Sequence, residues 1–193
     1  MANGRTSSSL ISGAFLGGAV AFAWTTVSWL VLPWHAGALR SFRDEGAVAQ
    51  AIVANAPRAG VYFLPNPPPA RPSAPPAAAE AARDAALARM EHGPVLFAAV
   101  RPHGAGSVTR AMVIDAAIDI LGALLFTWLL LQTAGLSYWR RVAFVATAAL
   151  AVAVVAALPD WNWLGFSAQY TAIVAVDMVL GWSLAGLVIA RFT

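Results

Sequence analysis

Four long apolar stretches constrain the fold of this chain more than any other feature. They cover residues 10–32, 111–133, 142–158 and 170–190. A helix that crosses a bilayer needs about 20 mostly apolar residues, and these stretches are close to that length. Only 11% of the residues are charged, whereas soluble domains carry roughly 25%. The sequence therefore predicts an all-α membrane protein with four transmembrane helices, the third ended by Pro159 because proline disrupts a helix interior.

The first stretch has to be distinguished from a cleavable signal peptide. Arg5 precedes it, and Ala36-Gly37-Ala38 resembles a small-residue cleavage site. The apolar core of a signal peptide has about 7–15 residues, however, and this stretch is longer and contains Trp24 and Trp29. We therefore interpret residues 10–32 as a retained transmembrane helix.

The placement of arginine predicts the topology, since cytoplasmic loops of membrane proteins are enriched in Lys and Arg. With the N-terminus inside, the cytoplasmic side receives no acid and four arginines: Arg5, Arg140, Arg141 and Arg191. Opposing this orientation are four arginines near the ends of the first two stretches: Arg40, Arg43, Arg101 and Arg110. We predict that both termini are cytoplasmic, with residues 1–9 forming the N-terminal one, and that the segment over residues 33–110 lies on the opposite side of the membrane.

The segment 33–110 contains signals for a small α+β extracytoplasmic cap between the first two transmembrane helices. A helix is expected to begin at Ser41 as its N-cap, with Asp44 and Glu45 in the first turn. The strand-like run Val61–Leu64 follows. A Pro-rich linker over residues 65–76 leads to a second helix over residues 77–91 and a second strand over residues 95–100. The two strands are expected to pair, and they would need a further partner because two strands alone are marginally stable.

The acidic residues inside the apolar stretches are the candidate functional residues, because an ionisable group within a membrane is costly. Asp115 and Asp119 are four residues apart and so share one helix face. At the helical rise of 1.5 Å per residue, Asp119 and Asp177 would both lie about 11–12 Å from the outer surface. The first helix carries hydroxyl groups at that level. The sequence therefore predicts one polar cluster: Asp115, Asp119, Asp177, Thr25, Thr26 and Ser28.

Three roles fit such a cluster. A carboxyl group can be structural, because burial favours its neutral form, which donates a hydrogen bond to a neighbouring hydroxyl or carbonyl. It can bind a proton or a cation on a transport path, or pair with a basic residue of a partner protein. The structural role is favoured, because few other polar residues line the stretches and no helix pair is broken by Gly or Pro as in transporters.

Small residues in the first stretch predict close helix contact. Gly13 and Gly17 form a Gly-x-x-x-Gly pattern, which lets two helix backbones approach each other within a membrane. The neighbouring helix is expected to belong either to the same chain or to another subunit.

Several functional classes are disfavoured by the residues that the chain contains. It has no cysteine, and its histidines (His35, His92 and His103) lie outside the apolar stretches at spacings that match no metal motif. No phosphate-binding loop or nucleophile elbow occurs. The arginines are scattered, which is not typical of a nucleic-acid surface. We therefore predict a protein that is not an enzyme, has no metal or other cofactor and binds no nucleic acid.

Three short motifs carry a resemblance to a family of small, uncharacterised bacterial inner-membrane proteins. They are Leu32-Pro33-Trp34-His35, Phe42-x-Asp44-Glu45-x-Ala47-Val48 and Asn55-Ala56-Pro57-x-x-Gly60-Val61-Tyr62. The resemblance covers mainly the first apolar stretch and the helix and strand that follow it, and the Pro-rich linker lies outside it. It implies a location in the bacterial inner membrane. It supplies no activity and carries over no catalytic residues.

Taken together, these features predict an accessory, stabilising or assembly subunit that lies in the lipid bilayer and binds a larger membrane complex or further copies of itself. The alternative is a small transporter, coupled to protons or cations, that uses Asp119 and Asp177.

Overall fold

The computed structural model describes residues 2–66, 75–133 and 135–193. The chain forms two compact units: residues 1–40 with 106–193, and residues 41–105. Most of the predicted Pro-rich linker, residues 67–74, lies outside the described residues. In chain order the elements are α1 Ala2–Leu30, α2 Trp34–Ala38, α3 Glu45–Asn55, β1 Gly60–Leu64, α4 Pro76–His92, β2 Leu96–Val100, α5 Val108–Leu131, α6 Tyr138–Leu164 and α7 Ala168–Ile189.

Four helices of the first unit, α1, α5, α6 and α7, are long and apolar enough to cross a membrane. This confirms the predicted number of such helices. α1 packs against α5 and α7, and α7 also packs against α6. Small side chains, Ala21, Ala123 and Ala185, are buried between the helices together with larger ones such as Leu130 and Ile189. Small residues suit this position. The hydrophobic effect drives little association between helices in lipid, so membrane helices associate through close packing, which small side chains permit.

The prediction that Pro159 ends the third apolar helix is wrong. α6 begins before the predicted stretch of residues 142–158 and continues through Pro159 to Leu164. Proline removes one backbone donor, the N–H that would bond to the carbonyl of Val155, and apolar membrane helices often tolerate this loss. The helix ends instead at Gly165, whose φ of 77° is the left-handed conformation that glycine adopts most readily.

The second unit contains α3, α4 and an antiparallel ribbon formed by β1 and β2. The register runs from Gly60 opposite Val100 to Leu64 opposite Leu96, which confirms the predicted pairing. The helix N-cap, however, is Asp44 and not Ser41. The Asp44 carboxylate accepts a hydrogen bond of 2.8 Å from the backbone N–H of Ala47, because an aspartate directly before the first turn reaches a free N–H that Ser41 is too far back to reach.

Candidate functional site

Both oxygens of the Asp177 carboxylate, on α7, have a polar partner on another helix. The indole Nε1–H of Trp24, on α1, donates to Oδ1 over 2.6 Å. The imidazole Nε2 of His35, on α2, lies 3.1 Å from Oδ2. The two side chains of this pair are largely withdrawn from solvent, with exposed fractions of 3% for His35 and 12% for Asp177. One carboxylate thus links three helices.

His35 reaches Asp177 because the chain turns back after α1. The helix ends at Leu30, and the backbone N–H groups of Val31 and Leu32 both bond to the carbonyl of Val27. Pro33 follows as the N-cap of α2, with a φ of −80° close to the value that its ring imposes. α2 consequently packs against α1 and α7, and His35 is buried.

Ser28 and Trp34 complete the site. The Ser28 hydroxyl is fully buried, accepts a hydrogen bond of 3.0 Å from Trp34 Nε1–H and lies 3.1 Å from His35 Nε2. We refer to Trp24, Ser28, Trp34, His35 and Asp177 as the Asp177 site. Its residues come from the end of α1, from α2 and from the middle of α7.

Tryptophan rings enclose the polar groups. The His35 ring stacks on Trp29 with centroids 3.9 Å apart and an interplanar angle of 10°. Trp34 meets the same ring edge-on at 5.8 Å, and Trp24 meets Trp34 edge-on at 6.3 Å. Indoles are apolar over their faces and polar at the N–H. Their faces therefore shield the imidazole of His35, while Trp24 and Trp34 donate hydrogen bonds into the site.

The hydrogen-bond geometry favours a positioning role over nucleophilic catalysis. Serine, histidine and aspartate are the residue types of a hydrolytic triad, in which the two ring nitrogens face the serine and the aspartate separately. Here Ser28 and Asp177 both approach Nε2 of His35, and Nδ1 is buried without a partner in the described chain. The two oxygens thus share one ring nitrogen, whereas a triad places them on different ring nitrogens.

The six residues predicted as one cluster do not form one hydrogen-bonded set in the described chain. Asp177 and Ser28 meet through His35, whereas Thr25 and Thr26 are half-buried on α1 outside the Asp177 site. On α5, Asp115 is exposed and Asp119 is half-buried. The Asp119 Oδ2 atom is buried and has no hydrogen-bond partner among the described residues. Counting residues along each helix predicts the depth of a side chain but not the direction in which it points.

Three residues of the Asp177 site, His35, Trp24 and Trp34, escaped the sequence prediction. His35 follows the apolar stretch and was therefore assigned to the region outside it. The available signal was Pro33 directly after the helix, which favours a turn, followed by two side chains with ring N–H groups. In the described part of the chain, no three His, Cys, Asp or Glu side chains are grouped so as to hold a metal ion.

The glycines of the first helix lie at close helix contacts. A Cβ atom on Gly13 would meet the side chain of Thr127, and one on Gly17 would meet Ile189 at 2.6 Å. The closest approach to a backbone involves Gly18, which the Gly-x-x-x-Gly pattern does not include. A Cβ atom there would lie 2.6 Å from Cα of Ile120, on α5. These glycines therefore bring α1 close to α5 and α7 of the same chain.

The sequence matches no protein-family model, and neither a curated protein nor a solved structure matches the chain. The resemblance to small bacterial inner-membrane proteins stays a prediction that rests on the three motifs. What the fold defines is a class, namely a helical protein with four helices able to cross a membrane and a separate small α+β unit.

Proposed function

We propose that this chain is a non-enzymatic protein of the bacterial inner membrane, with cytoplasmic termini, that acts as an accessory, stabilising or assembly subunit of a larger membrane complex. On this proposal residues 41–105 form a periplasmic cap that contacts the partner. The observation that carries the proposal is the exposed apolar ribbon of that unit.

One face of the ribbon presents apolar side chains to solvent. Residues opposite each other in the register share a face, and side chains alternate along each strand. Val61 and Phe63 therefore lie on the same face as their partners Ala99 and Phe97. Val61 is 65% exposed and Phe97 is 37% exposed. Contiguous exposed apolar surface of this kind is typical of an interaction site.

The second unit also lacks a substantial core of its own. In its described ranges, residues 41–66 and 75–105, only small or cyclic side chains are buried: Ala56, Pro65 and Ala86. A two-stranded ribbon is marginally stable without cover, and its outer edges keep unpaired backbone groups that another strand can bond. Both properties favour a unit that becomes fully stable only in an assembly.

Val61→Glu is expected to release the partner complex. A charge in the centre of a buried apolar contact carries a penalty of about 2 kcal/mol or more, which corresponds to a roughly 30-fold loss of affinity. The measurement is recovery of the complex on the tagged full-length chain in a gentle detergent, with its subunits and their ratios determined by mass spectrometry. Val53→Glu, on α3, is the matched control because Val53 is 59% exposed and lies off the ribbon.

The Val61→Glu variant should recover at least tenfold less of the complex than wild type and Val53→Glu, while eluting at the same size when alone. Equal loss from both glutamate variants would reflect the added charge and not the ribbon face. A wild-type chain that purifies as a lone monomer or homo-oligomer would contradict the accessory role.

A proton- or cation-coupled transporter is the second candidate, favoured by the buried Oδ2 atom of Asp119, which has no hydrogen-bond partner among the described residues. A carboxylate that must take up and release a cation cannot be replaced by an amide, whereas a hydrogen-bonding group can be. On the accessory proposal, Asp119→Asn leaves complex recovery unchanged and alters the free energy of unfolding by less than about 1 kcal/mol.

Proteoliposomes that contain the purified chain and a pH-sensitive dye inside test the two candidates for Asp119 directly. We expect proton and cation flux at the level of empty vesicles. The transporter would be favoured if the wild-type chain showed flux and Asp119→Asn abolished it. Asp115→Asn, at the exposed position one turn away, should then retain the flux.

A further inference from the structure

A small cleft between α6 and α7 combines a charged, an aromatic and an apolar wall. Its volume is about 160 Å³, well above the roughly 15 Å³ that one water molecule requires. Asp160, Phe166, Tyr170 and Thr171 line it, and an apolar wall is completed by aliphatic side chains and Met178. The cleft lies wholly within the first unit and is separate from the Asp177 site.

Thr171 is a buried hydroxyl without a partner. It is 6% exposed, and its Oγ1 makes no hydrogen bond in the described chain. A helical threonine commonly bonds back to the carbonyl one turn earlier, as Thr127 does to Ala123, but Thr171 makes no such bond. Buried polar atoms are rarely left unsatisfied. Because Thr171 is one of the residues that line the cleft, a ligand atom is the partner that its hydroxyl would take.

Asp160 supplies a negative charge where the fold does not favour one. It lies near the C-terminal end of α6, and its backbone carbonyl accepts the N–H of Gly165. The partial negative charge at a helix C-terminus disfavours an acid and favours a cation. No arginine or histidine among the described residues forms an ion pair with Asp160.

Two aromatic rings stand beside this charge. Phe166 and Tyr170 have centroids 5.6 Å apart with an interplanar angle of 37°. Aromatic faces attract cations, so these two rings and Asp160 favour a positively charged ligand. Trp161 and Trp163, exposed by 50% and 78% at the same end of α6, are of the type that lies at the headgroup level of a bilayer.

We propose that the cleft binds the primary ammonium group of a zwitterionic phospholipid, phosphatidylethanolamine. The ammonium N–H groups donate to the Asp160 carboxylate and to Thr171 Oγ1, and an acyl chain runs along the apolar wall. A quaternary ammonium has no N–H to donate, so phosphatidylcholine leaves Thr171 unsatisfied and binds more weakly. The inference uses the membrane location proposed above but not the accessory role, and its test requires no partner complex.

The experiment is native mass spectrometry of the purified full-length chain in detergent, titrated with phosphatidylethanolamine or with phosphatidylcholine of identical acyl chains. Wild type is expected to bind phosphatidylethanolamine at least tenfold more tightly. Asp160→Asn should abolish this preference, whereas Asp84→Asn, a matched loss of charge on exposed α4, should retain it. Thermal unfolding of each variant establishes that the fold is intact.

Thr171→Val separates the hydrogen bond from the charge. It is nearly isosteric and should lower the affinity for phosphatidylethanolamine about fivefold or more while leaving phosphatidylcholine binding unchanged. Thr147→Val, at an exposed position of α6, is its control. Equal binding of the two lipids by wild type, or an unchanged preference in Asp160→Asn, overturns the proposal. Free ethanolamine binding as tightly as the lipid would assign the cleft to a soluble amine and overturn the lipid assignment.

Discussion

Asp177→Ala is expected to lower the free energy of unfolding by about 2–3 kcal/mol, because it takes the main hydrogen-bond partner away from two buried side chains. The substitution removes the carboxylate that Trp24 and His35 both contact. Trp24 Nε1–H keeps only its longer bond of 3.2 Å to the backbone carbonyl at position 177, and His35 Nε2 keeps only the Ser28 hydroxyl. Water cannot readily replace the carboxylate, because the rings of Trp29 and Trp34 flank the histidine. The measurement is reversible unfolding of the full chain in mixed micelles, titrated with a denaturing detergent.

Two further variants distinguish the pair from a general loss of packing. Asp177→Asn keeps one carbonyl oxygen and therefore one acceptor, so we expect about half of the destabilisation. His35→Ala should destabilise the chain too, and combining it with Asp177→Ala should cost less than the sum of the single effects, since the residues share one interaction. His92→Ala, at an exposed position, should change the unfolding free energy by less than about 0.5 kcal/mol. Additive effects at positions 35 and 177 would contradict the linkage.

The long helices and the ribbon were predictable because their signals are local. A run of apolar residues sufficient to cross a bilayer marks α1, α5, α6 and α7 directly. β-branched and aromatic residues mark β1 at Val61–Phe63, and its pairing with β2 agrees with the expectation. Pro159 shows the limit of such rules. Its cost is real, but Gly165 and the carbonyl of Asp160 supply a better helix end a few residues later.

The Asp177 site was only partly predictable because it depends on a change of chain direction. Asp177 itself stands out in the sequence, since an acid in an apolar helix demands a partner. The partner His35 lies 142 positions away in the chain and outside the apolar stretches, and periodicity carries no information about such a pair. Only the turn at Pro33, which directs α2 back onto α1 and α7, brings the two together.

Gly18→Ala is expected to be the second strongly destabilising substitution, with a loss of about 3 kcal/mol in the free energy of unfolding. The added methyl group would lie 2.6 Å from Cα and 2.8 Å from the backbone N of Ile120. A side chain can rotate away from a clash, but a backbone cannot, so α1 and α5 must separate along their contact. That separation weakens the packing of neighbouring small residues such as Ala21 and Ala123, which are buried in the same core.

Matched glycine variants make the prediction specific to the α1–α5 contact. In Gly17→Ala the added methyl group meets only side-chain atoms, of Ile189 and Ala123. Because the Ile189 side chain can rotate away from the clash, the loss of unfolding free energy should be smaller than in Gly18→Ala. Gly37→Ala, in α2, meets nothing within 4 Å and should leave the protein unchanged or more stable by about 0.5 kcal/mol, because alanine restricts the unfolded chain. The expected destabilisation therefore decreases from Gly18 to Gly17 to Gly37, because the added methyl group meets backbone, side chain and open space respectively. Equal effects at positions 18 and 37 would show that α1 and α5 are not in backbone contact.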